Sequence, residues 1–148
     1  MKRSTARQIA VRLCYMVSEN PVTAEEALSQ VFEPEYYASL AKEDPCFSED
    51  PGSQREYIDT VVSGIVTHNA ELDSYVMQYA VGWKFDRISR TALAVMKVAM
   101  YEMLYMPEIP VSVSVNEAVE LARQFEDEAT VSFINGILGS FSRKELQP

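Results

Sequence analysis

Apolar residues recur at three- and four-residue spacings along most of this 148-residue chain, and no stretch shows the clear two-residue alternation of a β-strand. The pattern is strongest from Ile88 to Leu104, where apolar side chains cover most of the circumference of a helix. A helix of that kind has to be buried on nearly all sides. The spacing therefore predicts an all-α fold of about seven helices, with the segment from Ile88 as the central, buried helix.

Prolines and helix-capping patterns set the limits of these predicted helices. The first helix runs from about Ser4 to Glu19 and ends at Asn20-Pro21, because proline disfavours helical geometry in the residue before it. A Ser/Thr-x-x-Glu pattern satisfies free backbone N–H groups at the start of a helix. This pattern predicts a helix start at three places, residues 23–26, 53–56 and 114–117.

The remaining boundaries follow from breaks in the periodicity. The second helix is expected to stop before Pro34, and residues 42–53 are expected to form a loop because they hold two prolines, a glycine and several acids. A break near His68 divides the next helical stretch in two. The later predictions are two turns and a last helix, at 82–86, 126–129 and about Thr130 to Ser142.

The residues do not assemble into a catalytic or metal site. His68 is the only histidine, so neither a Ser-His-Asp triad nor a histidine-based metal site is available. Cys14 and Cys46 form no CxxC pair, and Cys14 falls in an apolar helical stretch that is typical of a core. The methionines at 96, 100, 103 and 106 could suggest a soft-metal site, but their helical spacing favours core packing. We therefore expect a protein that is not an enzyme and binds no metal or cofactor.

Two further features predict the compartment. No apolar run of signal-peptide length follows Met1, and no window reaches the ~18 to 20 apolar residues of a membrane span. Two lone cysteines fit a reducing compartment better than a disulfide scaffold. We therefore expect a cytoplasmic protein with no membrane partner.

The basic residues are distributed unevenly. The net charge of −9 argues against general nucleic-acid binding. The first fifteen residues nevertheless carry +4 and no acid, while the other nine basic residues stand against 22 acids and leave −13 on the remainder. These four basic residues form the basic head of the chain: Lys2, Arg3, Arg7 and Arg12. A basic head can bind RNA locally, but a solvated basic helix face explains the charges equally well.

Aromatic side chains could add to an RNA site, because bases stack on exposed rings. Tyr15, Tyr79 and Phe133 lie near predicted helix ends or beside polar residues. Each ring taken alone is more typical of a core than of an RNA platform. The aromatic residues therefore leave both interpretations of the basic head open.

Three segments carry a more specific pattern. The first segment is Ala6–Tyr15, which holds two arginines. The second is Trp83–Arg87, followed by the Tyr101-Glu102 pair and the Ile109-Pro110 turn. The third is NEAVELAR at 116–123, followed by FINGIL at 133–138. In this order the segments resemble the NusB family, in which an arginine-rich first helix precedes similar motifs. The resemblance covers nearly the whole chain, and residues 20–52 match least.

The resemblance implies two small helical bundles packed together in a single domain, residues 1–148. It implies binding of the boxA element of nascent RNA together with the ribosomal protein NusE, in a complex that helps RNA polymerase resist termination in ribosomal RNA operons. By position, the RNA contacts would be Lys2, Arg3, Arg7, Tyr15, Tyr79 and Phe133. The NusE contacts would lie on the exposed part of the helix from 88 to 104 and on the Ile-Pro turn, at Lys97, Glu102 and Val111.

The same reasoning gives two expectations for individual side chains. In FINGIL, Gly136 would allow another helix to approach closely. Arg7 is expected to be exposed, so Arg7→Ala should weaken RNA binding without unfolding the domain.

The sequence departs from the NusB pattern in ways that favour an alternative function. Ser4, Thr5 and Ser132 stand where basic residues are common in the family, and these changes, with the acidic remainder of the chain, disfavour RNA binding. Arg90-Thr91-Ala92 stands where an acid is typical, and this change instead bears on the partner contact. A protein-only helical adaptor, which keeps the fold but has lost RNA affinity, is therefore the second hypothesis. The NusB-like domain of an RNA methyltransferase is disfavoured, because no βαβ pattern or glycine-rich cofactor turn is present.

Overall fold

Eight α-helices and two short 3-10 helices make up the computed structural model, which describes residues 1–146, and no strand occurs among those residues. The predicted all-α class is confirmed, with one helix more than the seven expected. The helices fall into two units that divide between Thr67 and His68. This boundary coincides with the predicted break near His68.

The first unit holds four α-helices that bury one apolar core. They are α1 (Arg3–Glu19), α2 (Ala24–Val31), α3 (Pro34–Leu40) and α4 (Gln54–Thr67), with a 3-10 helix at Pro45–Phe47. α1 packs mainly against α4 and also contacts α2. Ile9 and Leu13 of α1 and Ile58 of α4 are almost completely buried. Burial of each such side chain contributes roughly 1.5 to 3 kcal/mol, so the α1–α4 contact holds this unit together.

The start of α2 agrees with the prediction, whereas α3 is a helix that the sequence pattern did not predict. Thr23 caps α2 as predicted, because its hydroxyl oxygen accepts a hydrogen bond from the Glu26 backbone N–H at 3.1 Å. α3 was not predicted, since Pro34 was treated only as a stop. Pro34 is the first residue of α3, where its missing N–H costs nothing. The Glu33 carboxylate accepts from the backbone N–H of Tyr36 at 2.8 Å and completes the cap.

The second unit is built around the helix that the sequence marks as most apolar. Its helices are α5 (Asn69–Tyr79), α6 (Arg90–Tyr105), α7 (Val111–Ala122) and α8 (Glu128–Glu145), with a 3-10 helix at Phe85–Arg87. Every residue from Ala94 to Met103 is buried, and α6 contacts α5, α7 and α8. The prediction of a central buried helix is confirmed. Its methionines at 96, 100 and 103 are core residues, as their spacing indicated.

One predicted helix start is wrong. Residues 114–117 do not open a helix, because α7 already begins at Val111 after Pro110. Ser114 lies inside α7 and is buried, and its hydroxyl donates to the Glu102 carboxylate at 2.8 Å. A serine three residues before a glutamate therefore serves here as a contact between α6 and α7, and not as a cap.

The ends of α8 also differ from the prediction. The helix starts two residues earlier than Thr130, because the Asp127 carboxylate accepts from the Thr130 backbone N–H at 2.8 Å. This hydrogen bond, with a smaller side-chain contribution from Thr130, lowers the pKa of Asp127. The helix also continues to Glu145, past the predicted end at Ser142.

Two features of residues 1–146 bear on other functions. No group of three or more His, Cys, Asp or Glu residues is placed to hold a metal ion within that range. No helix in the described part of the chain is long and apolar enough to cross a membrane. Cys14 and Cys46 are both buried and unbonded to each other, and the core position predicted for Cys14 is confirmed.

Candidate nucleic-acid interface

The basic head begins α1 and is anchored on α4. Lys2 is exposed at the N-cap of α1. The Arg3 Nε donates a hydrogen bond to Gln54 Oε1 at 2.6 Å, and the guanidinium carbon lies 4.3 Å from the centre of the Tyr57 ring. A guanidinium over an aromatic face is attracted by the ring quadrupole. Arg3 is thereby held in one place while part of it remains accessible to solvent.

Arg7 is not the exposed residue that the sequence analysis expected. Only 5% of its surface is accessible, and its guanidinium carbon lies 5.9 Å from the centre of the same Tyr57 ring. The long aliphatic stem of arginine packs well against apolar neighbours, which explains how a basic residue can lie on the helix face that points to α4. The expectation that Arg7→Ala leaves the fold unchanged assumed an exposed side chain, and that assumption is wrong.

Two positive groups in this unit are paired with acids from the 42–53 segment. Arg12 forms an ion pair with Asp44, and the amino group of Met1 lies 3.2 Å from Glu49. Each ion pair offsets positive charge that an RNA phosphate would otherwise meet. Lys2 and Arg3 are consequently the members of the basic head best placed to meet a phosphate.

Tyr15 is the accessible aromatic residue of α1. It keeps 43% of its surface exposed, one turn further along the helix than Arg12. A ring with that exposure can accept a stacked base. Tyr15 therefore meets the first physical requirement for the role that the resemblance implies.

Tyr79 lies in a different environment, in the second unit. Only 9% of its surface is accessible, its hydroxyl donates to Glu145 Oε1 at 2.7 Å, and its ring meets Phe141 edge-on. The hydrogen bond to Glu145, followed by burial, raises the pKa of Tyr79 to about 12. This ring offers a base little surface, so its visible role is to connect α5 with α8.

Phe133 contacts Trp83, a residue that the sequence places in a predicted turn and at the start of the second motif segment. The centres of the Phe133 and Trp83 rings lie 4.2 Å apart, with 34° between their planes. Trp83 remains 44% exposed, and Phe133 is partly exposed. The signal that could have found Trp83 is a large aromatic residue next to Lys84 inside a predicted turn, where no core requires it.

The α8 surface next to Phe133 is open and polar. A groove of about 310 Å³ runs between α7 and α8, and its polar lining includes Asn116, Arg123, Ser132 and Asn135. Gly136 is exposed, and a Cβ added there would meet nothing within 4 Å. The expectation that Gly136 allows close helix approach is therefore wrong within residues 1–146, because no other helix there comes within 4 Å of that position.

The residues expected to contact a protein partner divide into buried and exposed ones. Glu102 is completely buried and Lys97 is 7% exposed, so the expectation that both lie on an exposed face is wrong. Lys97 donates to Asn69 Oδ1 at 2.6 Å and pairs with Asp73 at 2.5 Å, which ties α6 to α5. Val111, at the start of α7, is 36% exposed and remains available to a partner.

Comparisons with known proteins identify the class of protein to which this chain belongs. The sequence pattern that describes the NusB family matches residues 4–143. The chain is 36% identical over 146 residues to the transcription antitermination protein NusB of Ruminiclostridium cellulolyticum, covering 99% of this chain and 92% of that one. It is 34% identical over 140 residues to the protein of the same name from Bacillus subtilis, covering 95% and 94%.

The chain therefore belongs to the NusB family of transcription antitermination proteins, which are not enzymes. A solved structure of T. maritima NusB has the same fold, with a TM-score of 0.78 and 21% identity, and the match covers 97% of this chain and 92% of that one. Family membership rests on the sequence matches, and the structural match supports the fold.

Proposed function

We propose that this protein binds the boxA element of nascent RNA together with the ribosomal protein NusE, within an antitermination complex of RNA polymerase. Residues 1–148 act as one NusB-like domain in the cytoplasm, where transcription takes place. The observation that carries the proposal is the basic start of α1, where Lys2 is exposed and Arg3 is fixed by Gln54 and Tyr57. Membership of the NusB family supports it independently.

The chemistry of the proposed RNA site divides between charge and stacking. Lys2 and Arg3 meet phosphates, since charge-assisted hydrogen bonds to phosphate oxygens position a protein on nucleic acid. Tyr15 and Phe133 stack on unpaired bases. Arg7 and Tyr79 act indirectly. Arg7 contacts the Tyr57 ring on which Arg3 also lies. Tyr79 hydrogen-bonds to Glu145 of α8, the helix that carries Phe133.

The proposed NusE contact centres on the start of α7. Val111 and Val113 are both more than one third exposed there, next to the Ile109-Pro110 turn. Glu102 contributes from the inside, because its carboxylate accepts from Ser114 and so fixes the first turns of α7. Lys97 contributes in the same indirect way by holding α6 against α5.

A protein-only adaptor is the second candidate, and one observation favours it. The ion pairs of Arg12 with Asp44 and of Met1 with Glu49 reduce the positive charge available at the basic head. If the remaining charge is too small for RNA, the chain would keep its NusE contact alone.

The test is fluorescence anisotropy of a labelled boxA-type RNA, measured with and without NusE over a series of salt concentrations. We expect binding that NusE strengthens, that exceeds binding to a scrambled RNA, and that weakens as salt rises. Absence of RNA binding at low salt, with NusE still bound, would overturn the RNA proposal in favour of the protein-only adaptor.

A further inference from the structure

Trp83 and Phe133 form an exposed aromatic pair in the second unit. We propose that Trp83 is itself a base-stacking residue, so that one unpaired RNA base stacks on the Trp83–Phe133 pair. The inference rests on the proposed RNA-binding function and adds to it a residue that the resemblance does not place at the RNA.

The geometry gives Trp83 an accessible ring on a fixed support. Its ring centre lies 4.2 Å from that of Phe133, so Phe133 covers one side of the indole. Trp83 nevertheless keeps 44% of its surface accessible. Phe133 belongs to α8, where the next residue, Ile134, is completely buried. A base stacked on Trp83 would therefore rest on a ring that the core of this unit holds in position.

The loop between α5 and α6 is shaped so that Trp83 points away from the core. Gly82 has a φ of +84°, in the left-handed region that favours glycine, and it turns the chain just before Trp83. The Trp83 backbone N–H donates to the Ala80 carbonyl at 3.2 Å and closes this turn. Tryptophan is largely buried on average, and the 44% exposure of Trp83 leaves a large aromatic surface available to a base.

The charge around Trp83 favours nucleic acid. Residues 83–90 hold three exposed basic residues, Lys84, Arg87 and Arg90, against one acid, Asp86, in a chain whose net charge is −9. One further acid reaches this segment, since Ser89 donates to the Glu126 carboxylate at 2.5 Å. Lys84, which directly follows Trp83, and Arg87 both remain exposed. An aromatic ring beside basic residues suits a base joined to a phosphate, which is the combination that single-stranded RNA presents.

The first experiment uses the fluorescence of Trp83, which is the only tryptophan in the chain. Unlabelled boxA-type RNA is titrated into the full-length protein in the presence of NusE, with tryptophan-free NusE or a subtracted NusE blank. We expect quenching that saturates at the RNA concentration at which anisotropy saturates. Replacing the bases one at a time by abasic sites should abolish most of the quenching at one position and leave it at the others.

The second experiment compares three variants by anisotropy. Trp83→Ala should weaken RNA binding roughly 5- to 150-fold, which is the effect of losing one stacked base. Trp83→Phe keeps a ring and should retain part of the affinity. Val81→Ala is the matched control, because Val81 is 87% exposed in the same loop but has no ring, and it should bind as the unaltered protein does. Thermal melts of all three establish that the fold is intact.

The possible results distinguish a failure of the Trp83 inference from a failure of the proposed RNA-binding function. RNA binding with unchanged Trp83 emission, and with Trp83→Ala binding as tightly as the unaltered protein, would overturn the inference while the proposed function stands. A change of emission on adding NusE alone, with none on adding RNA, would also overturn it and assign this surface to protein. No RNA binding by the unaltered protein, measured by anisotropy, would overturn the proposed function and the inference with it.

Discussion

Arg7 shows that a basic side chain in a predicted RNA-binding segment can belong to the core. Charge counting along the sequence gives the four residues of the basic head equal weight, yet among them only Lys2 is exposed, while Arg3 and Arg12 are partly buried. Arg7 is 5% exposed under Tyr57, and Arg12 is paired with Asp44. The sequence carries the charges but not the packing of α1 on α4, which decides which of them meet solvent.

The first prediction concerns Arg7→Ala. Because the side chain is buried, we expect its removal to lower the free energy of unfolding by roughly 1 to 3 kcal/mol through lost packing and unpaired neighbours. Urea denaturation followed by circular dichroism measures this change. Lys2→Ala is the matched control, and an exposed residue of this kind should shift the unfolding free energy by less than about 0.5 kcal/mol. Equal stability of the two variants would contradict the buried position of Arg7.

A second residue-scale prediction concerns the buried contact between α6 and α7. Ser114→Ala removes the hydroxyl that donates to Glu102, a carboxylate with no accessible surface. Weakening the hydrogen bonding of a buried charged group costs about 1 to 3 kcal/mol, so the unfolding free energy should fall by that amount. Ser112→Ala on the exposed side of α7 is the control. If Ser114→Ala leaves stability unchanged, Glu102 obtains no net stabilisation from Ser114.

At the scale of an element, α8 contains a glycine whose position invites substitution. Gly136 lies in the middle of the helix, and its surroundings are empty within 4 Å on the Cβ side. Glycine in a helix interior is less favourable than alanine by roughly 0.5 to 1 kcal/mol, so Gly136→Ala should stabilise the protein by about that amount. Chemical denaturation measures the gain. A loss of stability would mean that something does approach this face of α8.

The start of α8 gives a prediction on pH. The hydrogen bond from the Thr130 N–H lowers the pKa of Asp127 below its ordinary value of 3.8. A carboxyl group with a lowered pKa in the folded state stabilises the fold at pH values above 3.8, and the stabilisation is lost as pH falls through the lowered pKa. Asp127→Asn keeps the cap without the charge. Its melting temperature should therefore depend less on pH between about pH 5 and 2 than that of the unaltered protein, and parallel curves would contradict this assignment.

The elements also show what periodicity and capping can predict. α1 and the buried α6 were predicted closely, because long apolar patterns leave little choice of structure. α3 was missed because its seven residues are too short for a pattern and Pro34 was interpreted as a stop. The false start at 114–117 arose because a Ser-x-x-Glu pattern describes a cap and a buried contact equally well. Only the position of Glu102 on α6 distinguishes them.

At the scale of the whole molecule, charge is divided between a basic start and an acidic remainder. The proposed site residues that rest on charge and exposure, Lys2 and Tyr15, were accessible to sequence reasoning. Trp83 carries only the weak signal of an aromatic residue beside Lys84 in a predicted turn, because its pairing with Phe133 joins residues fifty positions apart and nothing in the sequence alone brings them together. Exposure of Lys97 and Glu102 was misjudged for a similar reason, since their partners lie on other helices.

The last prediction concerns the dependence of RNA affinity on salt. Each phosphate contact on a single strand adds about −0.7 to the slope of log K against log salt concentration. With Lys2 and Arg3 as contacts, we expect a slope of about −1.4 from the first unit, and Lys2→Ala should make the measured slope shallower by about 0.7. Glu25→Gln, an exposed acid on α2, serves as a control for a general change in charge. A slope unchanged by Lys2→Ala would remove Lys2 from the interface.

The ion pair between Arg12 and Asp44 has a consequence for discrimination among polyanions. A phosphate that reaches Arg12 has to displace a carboxylate that is already there, so the contact is an exchange of counter-ions and adds little net attraction. Heparin and unrelated RNA face the same exchange. Ligands that rely on charge alone are therefore disadvantaged, and in the proposed RNA complex selectivity shifts toward RNA whose bases can stack on the exposed rings.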